Sequence, residues 1–170
     1  MRNRDDEYVS RTYPVQEDMP LQVKVWAAER VGWYLLCLLM LLSLAGLFGT
    51  GPLSWTDKAS VNGTLSAQYE VFERNGASSE MTIKAKADND GKVVRLTIDG
   101  DLLEAFTIES IQPQPVTTES FNKGLRLELK PDGNGWATAY LAIRPYGFGR
   151  SRTTVRSGDQ VVELRQFIYP

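Results

Sequence analysis

The chain holds 170 residues, 42 % of them hydrophobic, which suits one modest domain plus a further segment and leaves no room for two full catalytic domains. Lys and Arg number 19 against 21 Asp and Glu, a formal charge of −2, which speaks against nucleic acid as a partner, since its readers carry a strongly basic face. The absence of His and the single Cys exclude imidazole acid–base chemistry, Cys/His zinc sites, His-ligated haem and an intrachain disulfide, so no metal and no cofactor is expected.

Residues 1–19 mix Arg2, Arg4, Asp5, Asp6, Glu7, Arg11, Glu17 and Asp18 with few apolar neighbours, the composition of a disordered arm. Pro20 suits a first helical turn, and Leu21, Val25 and Ala28 repeat at helical spacing. A juxtamembrane amphipathic helix over 20–30 follows, with a strand at Leu21 to Trp26 as the alternative.

From Val31 to Thr56 no residue is charged. About 20 apolar residues at 1.5 Å each cross a bilayer core of roughly 30 Å, so residues 31–49 are predicted to form a single transmembrane helix, with 50–56 as linker. Trp26, Arg30, Trp33 and Tyr34 at one end and Trp55 at the other are the residue types that favour a membrane interface. A cleaved signal peptide fits less well, because some 30 residues precede the run and its small residues lie inside it. Cys37 follows Tyr34, Leu35 and Leu36, not the small residue a lipobox requires, and reads as an apolar filler. Arg11, Lys24 and Arg30 before the span outnumber Lys58 after it, which puts the N-terminus in the cytoplasm and the remainder outside, as in a bacterial inner-membrane protein with a periplasmic domain. Ala45 with Gly49, and Gly46 with Thr50, are small pairs four residues apart, a face on which another helix can approach closely. No ionisable side chain lies in the span to serve transport.

After Asp57 the pattern becomes alternation punctuated by turns, as in an immunoglobulin-like β-sandwich; seven or eight strands are predicted over residues 57–170. Asn62-Gly63 signals a hairpin into a long strand from Leu65 to Glu73 with Leu65, Ala67, Tyr69 and Val71 on one face. Met81, Ile83 and Ala85 alternate next, and Asn89-Asp90-Gly91 implies a tight hairpin into Val94, Leu96 and Ile98. Asp101 is placed to cap a helical turn over Leu102 to Ala105, before a core strand from Phe106 to Ile111. Leu125, Leu127 and Leu129 alternate, Pro131 to Gly135 turns the chain into Trp136 to Arg144, and the last two strands are Arg152 to Arg156 and Gln160 to Tyr169.

The chemical motifs are sparse. Asp88, Asn89, Asp90 and Gly91 resemble the start of a calcium loop but lack its closing Glu, so a turn is the plainer account. Asn62-Gly63-Thr64 matches a glycosylation sequon that the turn also explains. Lys84, Lys86 and Lys92 stand in no recognisable Ser–Lys motif, and Asp99, Asp101 and Glu104 suit a capped turn better than a glycosidase pair. Arg144, Tyr146, Phe148, Arg150 and Arg152 form an Arg-bracketed aromatic loop, a surface for lipid headgroups or an acidic face of a partner, with a solvated Gly-rich loop as the plainer reading.

Two passages, Glu29-Arg30-Val31-Gly32-Trp33 leading through Gly46-Leu47-Phe48-Gly49-Thr50-Gly51-Pro52-Leu53-Ser54, and the ending Gln166-Phe167-Ile168-Tyr169-Pro170, carry a resemblance. The chain resembles an uncharacterised group of small bacterial single-pass membrane proteins that accompany YetF-like integral membrane proteins. The resemblance implies an integral membrane partner and no catalytic residue. The leading expectation is therefore a non-enzymatic accessory or assembly subunit in the lipid bilayer, whose helix and β-sandwich pack on a larger membrane protein. An autonomous envelope-anchored ligand-binding module is the alternative, and a membrane-tethered hydrolase comes third.

Overall fold

The structure is a computed structural model that describes residues 19–45, 54–87 and 92–170. It divides into two compact units at Leu44. The arm before Met19, the small residues Gly46, Gly49 and Thr50, the Gly51-Pro52 stop and the turn at Asp88 to Gly91 lie outside the described residues.

The first unit is α1 (Met19–Leu44), 26 residues, about 39 Å at 1.5 Å per residue. The amphipathic lead-in and the apolar run are thus one uninterrupted helix, and the strand alternative at Leu21 to Trp26 does not form. The helix ends at Leu44 with Ala45 in a turn, short of the predicted Gly49; Gly46, which follows, is among the weakest helix formers. Its Leu, Val and aromatic side chains are exposed on every face, and it is long and apolar enough to cross a membrane by length and composition.

The second unit is all-β apart from one helical turn. In chain order it contains β1 (Trp55–Ala59), β2 (Leu65–Glu70), β3 (Phe72–Arg74), β4 (Ser79–Lys86), β5 (Val94–Gly100), α2 (Leu102–Ala105) and β6 (Phe106–Gln112). There follow β7 (Thr117–Phe121), β8 (Gly124–Leu129), β9 (Trp136–Pro145), β10 (Gly149–Ser157) and β11 (Gln160–Tyr169). One sheet runs β1-β2-β4-β9-β6 and the other β3-β11-β10-β5-β8-β7; every pair is antiparallel except β3 with β11. Alternate residues of both sheets meet in one core: Leu65, Tyr69, Ile83 and Leu141 from the first, Leu96, Ile98, Leu127 and Leu164 from the second.

The described residues form eleven strands, not seven or eight. The predicted strand Leu65 to Glu73 breaks at Val71, so that β2 and β3 join different sheets. β7 is polar and largely exposed, without the alternation that would reveal it. The predicted hairpin between β4 and β5 does not form, because those strands lie in opposite sheets, and the turn at Pro131 to Gly135 likewise carries the chain from β8 in one sheet to β9 in the other. The first hairpin does form, but through a loop of residues 60–64 in which Gly63 has φ 69° and Ser60 N–H donates to Leu65 O at 2.7 Å. β6 is an edge strand with a bulge between Ile108 and Ser110, so only Phe106 of it is fully buried. The Asp101 carboxylate makes no cap; it accepts the Arg152 N–H at 2.9 Å, while Asp101 O takes the N–H groups of Glu104 and Ala105.

Candidate functional site

Register places one set of features at the end of the sandwich where the chain arrives at Ser54. The buried Ser54 hydroxyl donates to Phe72 O at 3.2 Å and accepts the Phe72 N–H at 3.4 Å, which pins the start of the domain to β3. Phe72 lies opposite Phe167 on β11, and Phe167 opposite Arg150 on β10. β10 follows directly on the Tyr146-Gly147-Phe148 connection from β9, so that connection occupies the same end. The turn between β10 and β11 is at the opposite end, about 26 Å away at 3.3 Å per strand residue.

Along the outer face of the second sheet, Phe72, Asp101, Arg150, Arg152, Arg165 and Phe167 line a groove of about 820 Å³. Arg152 Nε and Arg165 Nε approach the same oxygen of Glu163, at 3.0 and 3.2 Å. The hydrogen bond from Arg165, then the positive charge of both guanidiniums, holds the Glu163 carboxyl below its usual range. Arg150, and Arg74 one step beyond Phe72 on the same face, have no ionic or hydrogen-bonding partner among the described residues. Gly100 sits beside the groove with φ 101°, where an added Cβ would come within 2.5 Å of Arg152 O. Only glycine lets the chain pass so close to β10.

The predicted surface of Arg144, Tyr146, Phe148, Arg150 and Arg152 is therefore not one loop. Arg144 belongs to β9 and is engaged internally: its Nε binds Glu109 Oε1 at 2.6 Å, and its terminal nitrogens bind Gly76 O at 2.7 Å and Ser78 Oγ at 3.0 Å. Tyr146 donates its hydroxyl to Leu103 O at 3.1 Å and half its surface is covered. Phe148 is 83 % exposed. Arg150 and Arg152 stand on β10, facing out between strand neighbours. The partners that extend the surface, Phe72, Arg165 and Phe167, are remote in sequence and carried no local signal.

A second cluster is buried. Glu73, 2 % exposed, accepts hydrogen bonds at Oε1 from Ser79 Oγ at 2.8 Å and Gln166 Nε2 at 3.0 Å. Burial raises its pKa to about 7 against the lowering pull of Ser79, and the neighbouring Glu70 carboxyl, itself raised by burial, adds to the rise. Cross-strand from Gln166, the Ser151 hydroxyl is buried without a partner among the described residues. One feature of the chain marks this cluster: the inward alternation of Leu65, Ala67 and Tyr69 runs on to Glu73.

On α1, Trp26, Arg30, Trp33 and Tyr34 share a face at helical spacing and border a shallow groove with Glu29. Trp55 opens β1, opposite Glu70. Of the predicted helix-packing residues, Ala45 follows the end of α1, and Gly46, Gly49 and Thr50 are beyond the described residues. Among the described residues no group of three or more acidic or Cys side chains is arranged to hold a metal ion.

No family model matches this chain, and no curated protein does. Among solved structures it is similar to a cohesin module from a Clostridium perfringens ATCC13124 family 33 glycoside hydrolase, at 12 % identity and a TM-score of 0.44 over 68 % of this chain and 96 % of that one. It is also similar to domains 4 and 5 of the S-layer protein SbsC, at 13 % identity and a TM-score of 0.37 over 70 % of this chain and 78 % of that one. At these scores no residue role passes from either to this chain.

Proposed function

We propose that this protein is a non-enzymatic single-pass accessory or assembly subunit of a bacterial inner membrane, its immunoglobulin-like β-sandwich held outside the cytoplasm against a larger integral membrane protein. One observation carries the reading: the Leu, Val and aromatic side chains of α1 are uncovered on all faces, while the β-domain closes its own core. An apolar helix of that length needs lipid, or a membrane protein, as its solvent. The flanking charges orient it with residues 1–18 in the cytoplasm. The small residues Ala45, Gly46, Gly49 and Thr50 are the proposed contact with the partner helix, and the resemblance of the helix exit and of the C-terminal strand points to a YetF-like partner.

Detergent extraction of the tagged full chain from its native membrane, with identification of what co-purifies in stoichiometric amount, tests the subunit role. Protease added to spheroplasts tests the topology: the β-domain is cut or released while residues 1–18 stay protected. A chain that purifies alone rejects the subunit role and favours the envelope-anchored binding module, for which the Arg-lined groove on β10 and β11 is the ligand site.

A further inference from the structure

Two exposed cations whose side chains have no partner among the described residues, Arg74 and Arg150, and the bare ring of Phe148 stand at the Ser54 end of the β-domain. Phe148 and Arg150 are close in sequence, and Arg74 on β3 joins them through the pairing of β3 with β11 and of β11 with β10. The face around them holds Arg74, Arg150, Arg152 and Arg165 against Asp101 and Glu163, so it is net positive on a chain that is net negative. Nine residues, 45–53, separate Leu44 from Ser54, and even fully extended they reach only about 35 Å. The end at which the chain enters the domain after α1, at Ser54, is also the end that carries the arginines and the exposed aromatic ring.

We propose that this end docks on the anionic phospholipid headgroups of the membrane that α1 crosses, with Arg74 and Arg150 binding headgroup phosphates and Phe148 entering the headgroup layer. The proposal rests on the reading of α1 as a membrane span. Guanidinium forks match phosphate oxygens two at a time, and a phosphate gives Arg74 and Arg150 the partner they lack among the described residues. Arg144 takes no part, because Glu109, Gly76 and Ser78 already hold it. An exposed Phe is of little use against water but gains free energy when its ring leaves water at a membrane surface. A tethered domain needs little affinity to dock, since the linker keeps it at high effective concentration.

The test uses the full chain with Cys37→Ala, so that a single dye can be placed at Pro170→Cys, at the Ser54 end, or at Asp159→Cys, in the turn at the opposite end. Each labelled protein is put into nanodiscs whose lipids carry a headgroup quencher, of phosphatidylcholine alone or with phosphatidylglycerol. In the anionic discs the dye at 170 is quenched several-fold more than the dye at 159, and the difference shrinks in phosphatidylcholine and at high salt. Arg74→Gln with Arg150→Gln lowers the docked-to-undocked ratio about 30-fold, at the usual gain for each basic residue near an anionic surface, and the double Lys variant retains most of it. Equal quenching at the two positions, or indifference to lipid charge and to the Gln pair, overturns the proposal while leaving the membrane span intact. Failure of the chain to enter the discs at all overturns both.

Discussion

α1 and the β-domain spend comparable apolar material in opposite ways. On α1, Leu35, Leu38, Leu41 and Leu44 are more than half exposed, whereas in the β-domain Leu65, Leu96, Leu127 and Leu141 are fully enclosed. The difference lies in periodicity and not in composition. Period-two alternation lets two sheets hide one face each, while a helix that is apolar all round has no inner face to turn toward a core of its own. The β-domain thus carries its own solvent-free interior, and α1 has none among its own residues.

The comparison predicts that the two regions fail separately. Leu141→Ala removes a fully buried side chain shared between the sheets, and should cost the β-domain about 4 kcal/mol by chemical denaturation while leaving membrane association unchanged. Leu38→Arg is its counterpart on α1. It should make insertion about 3 kcal/mol less favourable, seen as a shift of the chain to the soluble fraction, with the β-type circular dichroism retained.

The third prediction concerns the charge that the β-domain hides. Because Glu73 titrates near 7 in the folded chain and near 4.5 when unfolded, the unfolded state holds fewer protons between those values. The contribution of Glu73 is therefore fully present below pH 4.5 and is lost as pH rises through about 7, by an amount on the order of 3 kcal/mol for the whole shift. Glu73→Gln keeps the shape and an acceptor for Ser79 while removing the proton, so denaturation midpoints measured from pH 4.5 to 8 should flatten, with the variant above the wild type at pH 8. A midpoint curve of unchanged slope means that Glu73 does not ionise in this window.

The smallest effect is expected at the small residues that follow α1, the proposed contact with the partner helix. Gly49→Leu should weaken co-purification of the membrane partner without altering insertion, since the new side chain is apolar but occupies the space that close helix approach requires. Leu38→Ile, which nearly conserves volume, is the control and should change neither. If the complex survives Gly49→Leu and Gly46→Leu alike, the contact is on another surface.

Much of this protein was legible in the chain because the signals are local. Residues 31–49 read as a membrane-length helix from their own composition, and 31–44 of them are helical; Leu65, Ala67, Met81, Ile83, Val94, Leu96 and Ile98 read as core from alternation and are buried. What the tertiary structure alone decided is which strand lies beside which. A turn such as Pro131 to Gly135 reports that the chain reverses, with Asp132 accepting the N–H groups of Asn134 and Trp136, but not whether the next strand joins the same sheet. The break at Val71 depends on β11 being there to pair with β3, and β11 lies more than 90 residues away. For the same reason, residues 144–152 alone do not show that the exposed Arg144 is held by Glu109 and Gly76, or that a groove forms, because Phe72 and Arg165 reach it only through strand pairing. Local sequence sets the period and the punctuation of the strands, and long-range burial chooses their neighbours, because only a complete pairing of both sheets closes the core and satisfies their backbone groups together.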